Sequence, residues 1–297
     1  MPARAFRRPP LRRRSVASGG QSARFAARGC LAVVLALALA ACTTAGRAPA
    51  PSPTAAVASS PAPTSDGADQ AEAARTAGVA VPSGAVTLLV AALAEPVGAE
   101  PKDDGSVVLT VPVDAGTWAG TGAASRRVAA AVVAPSGLRF EARPDRSIAV
   151  VASTGAVVGA LSPLAVVYGS GAGMPRGAGL AVQADDSVLD VVVDPGAAGT
   201  ATLTFGATPL VSADWGEREG GRSLAVVPAA WVRVGSLAAQ DALWSAVVAV
   251  APDADSATMH DQLTCHALGA ADKAAWNLEP WRPQVDSIAL LAARCNP

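Results

Sequence analysis

Between residues 105 and 214, apolar positions fall into short β-branched runs separated by turn residues at roughly ten-residue intervals. The runs are 106–113, 128–133, 138–141 and 148–152, then a hairpin turn at Ser153-Thr154-Gly155 into Val157-Val158. They continue as 164–168, 180–183, 188–193, 201–205 and from Leu210 onward. Short strands at this spacing predict an antiparallel meander, sandwich or barrel. A doubly wound fold would need a helix of ten or more residues between strands, and no such segment lies there. Ahead of these runs, 86–94 reads as a strand or a helical turn.

After Trp215 the periodicity changes. Residues 223–227 and 231–234 look extended, with Pro228 between them. Ser236 then stands as an N-cap for a helix over 237–250, whose Leu243, Trp244, Val247 and Val248 share one face and which Pro252 stops. Asp255 or Ser256 caps a second helix over 257–268, with Met259, Leu263 and His266 on one face and Gly269 after its end. A proline-broken loop over 277–283 leads to a last amphipathic stretch at 288–293.

The amino-terminal region has no globular pattern. Residues 1–41 carry eight arginines and no acid, and they end in the apolar run Cys30 to Ala41. A positive segment before a short apolar one is the layout of a secretory signal. At twelve residues the run falls short of the ~20 that a membrane-spanning helix needs. Leu39-Ala40-Ala41-Cys42 resembles the lipobox of bacterial lipoproteins, in which cleavage before the cysteine leaves a diacylated residue. The plainer alternative is an ordinary signal peptide cut elsewhere. Arg12-Arg13 lies too far upstream of the apolar run to mark the twin-arginine route strongly. Residues 42–84 are rich in Ala, Pro, Ser, Thr and Gly and bury too little to offset their ordering entropy. They read as a tether, and about forty residues of coil reach roughly 35 Å.

Losing residues 1–41 alters the charge balance. Of the chain's 23 basic and 24 acidic side chains, 15 and 24 remain, a formal net of −9. A basic face for nucleic acid is therefore not expected. Cys30 leaves with the signal and Cys42 would carry the lipid. That leaves Cys265 and Cys295, which in an oxidising compartment are expected to be bridged; two free buried thiols are the alternative. The expected fold class is α+β, a β-rich antiparallel, meander- or sandwich-like region over 85–214 followed by a small disulfide-bonded α/β lobe over 215–297.

The lobe also carries a specific sequence likeness. Trp215 with Glu217-Arg218, Ser223-Leu224, Pro228 with Trp231-Val232-Arg233, Trp244, Pro252-Asp253-Ala254, Met259, Asp261-Gln262 and Cys265-His266 belong to it. So do Asp272-Lys273, the block Trp276-Asn277-Leu278-Glu279-Pro280-Trp281-Arg282-Pro283, and Cys295-Asn296-Pro297. On these residues the segment resembles the domain of unknown function 2599 family of exported actinobacterial proteins. The resemblance implies export and the Cys265–Cys295 bridge, and it implies no activity.

Two constellations could carry chemistry. His260 and His266 lie about 120° apart on a helix and cannot ligate a metal as an i, i+4 pair would, so no metal site and no cofactor is implied. His266 could serve as a general base if oriented by Glu279 or Asp261, although Asp261 sits about 140° away round the helix. The structural alternative is a buried histidine donating to a carbonyl. Trp276, Asn277, Trp281 and Arg282 could form an aromatic platform for a sugar or peptide, or they could fill a small lobe with Arg282 paired to Glu279. The glycines at 169–173 lack the ending of a phosphate loop and read as a hairpin loop. Asp103-Asp104 and Asp185-Asp186 sit in turns. The favoured function is a cell-envelope lipoprotein on the outer face of the cytoplasmic membrane, serving as a non-enzymatic binding or structural module. Its expected partners are the membrane, through the lipid anchor, and cell-wall glycan or another envelope protein. The alternative is a secreted hydrolase acting on lipid or cell-wall material through His266.

Overall fold

The computed structural model describes residues 65–297 except 93, 95, 114–126, 170–177 and 195–197. The expected signal, Cys42 and most of the glycine-rich loop therefore lie outside the described residues. The chain begins with α1 (Ser65–Ala77), β1 (Val79–Ser83), β2 (Val86–Ala92), β3 (Gly98–Pro101), β4 (Val107–Val113) and β5 (Arg127–Val133). It continues through β6 (Leu138–Ala142), β7 (Ile148–Ala152), β8 (Val157–Leu161), β9 (Ala165–Tyr168), β10 (Gly179–Val182), β11 (Val188–Val193) and β12 (Gly199–Gly206). The last part comprises β13 (Leu210–Arg218), β14 (Gly221–Pro228), α2 (Ala230–Arg233), α3 (Leu237–Val250), α4 (Ala257–Gly269), β15 (Trp276–Leu278) and α5 (Ser287–Ala292).

Two antiparallel sheets face each other. One has the order β1-β2-β5-β11-β10, and the other β3-β4-β12-β8-β7-β6 with β9 also on β12. Leu88, Val132, Leu189 and Val191 from the first sheet meet Leu109, Ile148, Val150, Leu203 and Phe205 from the second in one core. Each sheet is also covered on its outer face. On β5, Ala131 and Val133 point away from that core to meet Ala71 and Ala74 of α1. On β7, Ala149 and Val151 point outward to the core of the helical lobe. Double coverage is why β5 and β7 read as apolar runs instead of alternating ones, and why β11 is buried along its whole length, Asp190 included. The layers therefore run α1, first sheet, second sheet, then the lobe of α2 to α5 and the small sheet β13-β14-β15.

The α+β class, the antiparallel strands and the Cys265–Cys295 bridge are as expected. Four local expectations need correction. The tether expected to run to residue 84 gives way at Ser65 to α1 and then β1. Alanines at helical spacing, not large apolar residues, let α1 lie close on β5, and Gln70 Nε2 donates to Val128 O at 3.1 Å. Strand β3 was not anticipated. Residues 231–234 form a turn of helix, not an extended run, because Trp231 and Val232 both turn inward. Residues 276–278 are a strand on β14, with Trp276 and Leu278 alternating into the core.

Three hairpins repeat one device. In Asp104-Gly105-Ser106, Asp145-Arg146-Ser147 and Asp185-Asp186-Ser187, the aspartate accepts the serine backbone N–H at 3.0–3.1 Å and its hydroxyl at 2.6–2.9 Å. The middle residue takes positive φ (80°, 68° and 56°). These are side-chain-stabilised turns of the kind that set hairpin register.

The second of these turns also joins the sandwich to the lobe. Leu237 N–H donates to Asp145 Oδ2 at 2.8 Å and Ala238 N–H to Ser147 Oγ at 3.1 Å, while Ser236 Oγ caps Ala239 N–H. The amino terminus of α3 is thus satisfied largely from another layer of the fold. Burial pushes the Asp145 carboxyl up, but bonds from the Ser147 hydroxyl and from the N–H groups of Leu237 and Ser147 outweigh it and hold the pKa below the usual range. Asp145→Ala is expected to cost about 1 kcal/mol, as a lost helix cap does. A urea melt checks this, and Asp145→Asn should lose less.

Candidate functional site in the C-terminal lobe

Helix α4 carries most of the candidate residues. Its cap is Ser256 Oγ, accepting Met259 N–H at 3.3 Å, and its inner face presents Met259, Gln262, Leu263 and His266. Gln262 makes two bonds to one residue. Its Nε2 donates to Glu279 O and its Oε1 accepts Glu279 N–H, both at 2.9 Å. A side-chain amide thereby extends the pairing pattern of β15 by one rung. Gln262 was not singled out as a functional residue in the sequence; a glutamine four residues before His266 on an otherwise apolar face was the available signal.

His266 is 2% exposed, its Nε2 lies 3.2 Å from Asn277 O, and its ring stacks on Trp276 with centroids 6.3 Å apart. With Nε2–H donating to the carbonyl, Nδ1 is left unprotonated, and it has no hydrogen-bond partner among the described residues. Burial is the main reason its pKa is pulled down to about 4. The Asn277 carbonyl opposes that shift, and the Lys273 charge adds to it.

This shift has a consequence for stability. The unfolded imidazole takes a proton near pH 6.5 and the folded one only near 4, so between those values the unfolded chain binds more protons. Stability is full above about pH 6.5 and falls as pH drops toward 4, by about 3 kcal/mol for this group. Chemical denaturation at a series of pH values is expected to show that loss, and His266→Gln is expected to remove this component.

Glu279 is 1% exposed, and its carboxylate accepts from Arg282 Nε at 2.6 Å. The same guanidinium donates to Glu219 at 2.6 Å and to Pro297 O at 3.3 Å, and it lies 4.2 Å over the Trp281 ring. Trp281 Nε1 donates to Arg222 O at 3.1 Å. Its ring packs on Gly221 so closely that a Cβ there would lie 2.2 Å from the indole nitrogen. Arg222 in turn lies 4.1 Å over Trp215 and pairs with Asp253. Arg233 donates to the carbonyls of Pro228, Ala271, Lys273 and Ala274 and lies 5.7 Å over Trp276. Nothing in the sequence pattern marked Arg233 as the pin of that loop.

The candidate acid–base residues are not brought together. Glu279 bonds to Arg282 instead of His266, and Asp261 lines a cavity of about 10 Å³ beside Pro283 and Leu290. Trp276 is fully buried in β15 while Trp281 is 42% exposed, so the two indoles do not form one open platform. Cys265 and Cys295, both buried, pin α5 to α4 with Cα atoms 5.6 Å apart. Among the described residues no group of three His, Cys, Asp or Glu is placed to hold a metal, and no helix is long and apolar enough to cross a membrane.

Residues 210–297 match the family model for a protein of unknown function, DUF2599. An uncharacterised protein of Mycobacterium tuberculosis is 39% identical over 121 residues, taking in 36% of this chain and 80% of the relative. The chain belongs to the DUF2599 family. An uncharacterised protein of Mycobacterium bovis is similar to the same extent, and one of Mycobacterium leprae is 45% identical over 65 residues, covering 20% of this chain and 53% of its own length. No solved structure matches. The DUF2599 match begins where β13 begins, so the hairpin β13–β14, helices α2 to α5, β15 and the disulfide form the family's segment. In this member it packs through α3 on β7 and β8 of the sandwich. Its disulfide fits an oxidising compartment outside the cytoplasm.

Proposed function

We propose that this DUF2599 protein is a cell-envelope lipoprotein, anchored through Cys42, that displays its disulfide-pinned lobe as a non-enzymatic binding or structural module for another envelope component. The observation that carries this reading is how the lobe spends its polar groups. His266, Glu279 and Arg282 are bonded into the frame, and the first two are sealed from solvent. A general base must reach its substrate's proton, and a sealed imidazole with a pKa near 4 is poorly suited to that task at neutral pH.

The layer order supports display. Helix α1, which follows the segment read as a tether, covers the outer face of the first sheet. The lobe covers the outer face of the second sheet, on the far side of the sandwich from α1. Cys42→Ala is expected to move the protein from the membrane fraction to the medium, and mass spectrometry of the mature wild-type protein is expected to find an amino-terminal diacylated Cys42. A different mature amino terminus would overturn the anchor. Turnover of lipid or cell-wall material that disappears in a fully folded His266→Gln variant would favour the hydrolase.

A further inference from the structure

One cleft that this frame leaves unused lies where the sandwich meets the lobe. Strand β12 pairs with β9 over Gly199–Thr202 and with β8 only at Phe205 and Gly206, so the second sheet parts between those two pairings. Pro163 follows β8 at that point, and Ser162 bridges the gap. Its N–H donates to Thr204 O at 2.9 Å, its Oγ accepts Thr204 N–H at 2.9 Å, and the same hydroxyl donates to Pro163 O. Opposite stands the turn between α2 and α3. The result is a cleft of about 340 Å³, within the range of small-ligand sites and at the kind of module junction where they concentrate.

The walls of the cleft are fixed. The Trp231 ring lies against Gly206, where a Cβ would come within 2.4 Å of it, and its Nε1 donates to Thr208 O. Ser236 is held as the cap of α3. Among the described residues no charged side chain lines the cleft. Two hydroxyls retain bonding capacity, since among the described residues Thr204 Oγ1 is in no hydrogen bond and Ser236 Oγ only accepts. Ala160, Pro163, Val234 and the edge of Trp231 give apolar surface between them. Neutral hydroxyls alternating with apolar wall suit a ligand of the same character, with hydroxyl groups round a C–H face. An anion or cation would find no counter-charge there, and an acyl chain would leave the Thr204 hydroxyl unpaired.

We propose that the cleft between Thr204, Pro163, Trp231 and Ser236 binds a neutral saccharide unit of pyranose size. This deepens the binding-module reading and rests on it only for where the sugar would be met. Binding itself is measured in solution, so failure of the anchor would leave this result standing, and the reverse also holds.

The test uses the purified intact protein titrated with N-acetylglucosamine and its di- to tetrasaccharides, followed by calorimetry and by the Trp231 indole N–H signal in NMR. Saturable binding that shifts this signal is expected. Thr204→Val is expected to weaken it about tenfold, the size of effect a lost hydrogen bond gives, and Val234→Asp to weaken it by replacing apolar wall with a hydrated charge, each with unchanged melting temperature. No saturable shift up to the solubility limit of these sugars would overturn the proposal. Binding that both folded variants leave intact would overturn it equally, because the sugar would then sit elsewhere.

Discussion

Arg282→Ala is expected to cost about 3–5 kcal/mol and to loosen the whole DUF2599 lobe. The reason is Glu279. Its carboxylate is 1% exposed, and Arg282, itself only 12% exposed in its side chain, bonds to it at 2.6 Å. Truncating the arginine leaves a buried carboxylate without its cation, and desolvation of that charge is then uncompensated. The bond to Glu219 adds little, because Glu219 is more than half exposed. Arg282 also supports Trp281 and bonds to Pro297 O, so its loss releases the segment after β15 as well. Equilibrium urea unfolding measures the cost. The double variant Glu279→Leu with Arg282→Met removes both charges together and is expected to recover most of it. Equal instability in the single and double variants would show that packing, not the unpaired charge, dominates.

Breaking the disulfide is the second large effect. Cys265→Ser with Cys295→Ser is expected to cost about 3–4 kcal/mol, the chain-entropy value for a loop of this length. The bridge spans 30 residues and is the main tie between α4 and α5. Helix α5 has six residues, far below what stands alone in water, and buries only Leu290. Ile288 and Leu291 stay exposed, so the helix holds its place through the sulfurs more than through packing. Limited proteolysis of the reduced protein is expected to cut first around 284–294. Identical urea midpoints with and without reductant would refute that role.

Most of the fold could be read from the chain because most of it is periodic. The caps at Ser236 and Ser256 and the helices they begin follow from side-chain oxygens placed just before apolar repeats, and both form as expected. Helix α1 escaped because its buried face is Ala71 and Ala74, residues that look like tether until a strand is known to lie beneath them. Strand β15 escaped for a different reason. Three residues carry too little periodicity, and what fixes them is Gln262 and β14, both remote in sequence. The repeated Asp-x-Ser turns were legible in principle, at positions 104, 145 and 185, but their shared geometry emerges only when the positive φ of the middle residue is seen.

The candidate site divides the same way. A histidine on an apolar helix face reads as buried, and His266 is. The partner of Glu279 could be named from the sequence because Arg282 lies three residues on. The cleft beside Trp231 could not, since its walls come from β8, β12 and the α2–α3 turn, which nothing local brings together.

The most direct measurement is the titration of His266 by NMR, with the His266→Gln variant used to separate its signal from that of His260. An imidazole that stays neutral, with Nε2 protonated, down to about pH 4 is the result expected of a ring sealed behind Asn277 and Trp276. A midpoint near or above 6.5 in the folded protein would mean that the ring meets solvent and can exchange protons at neutral pH, and the lobe would have to be reconsidered as a catalytic one.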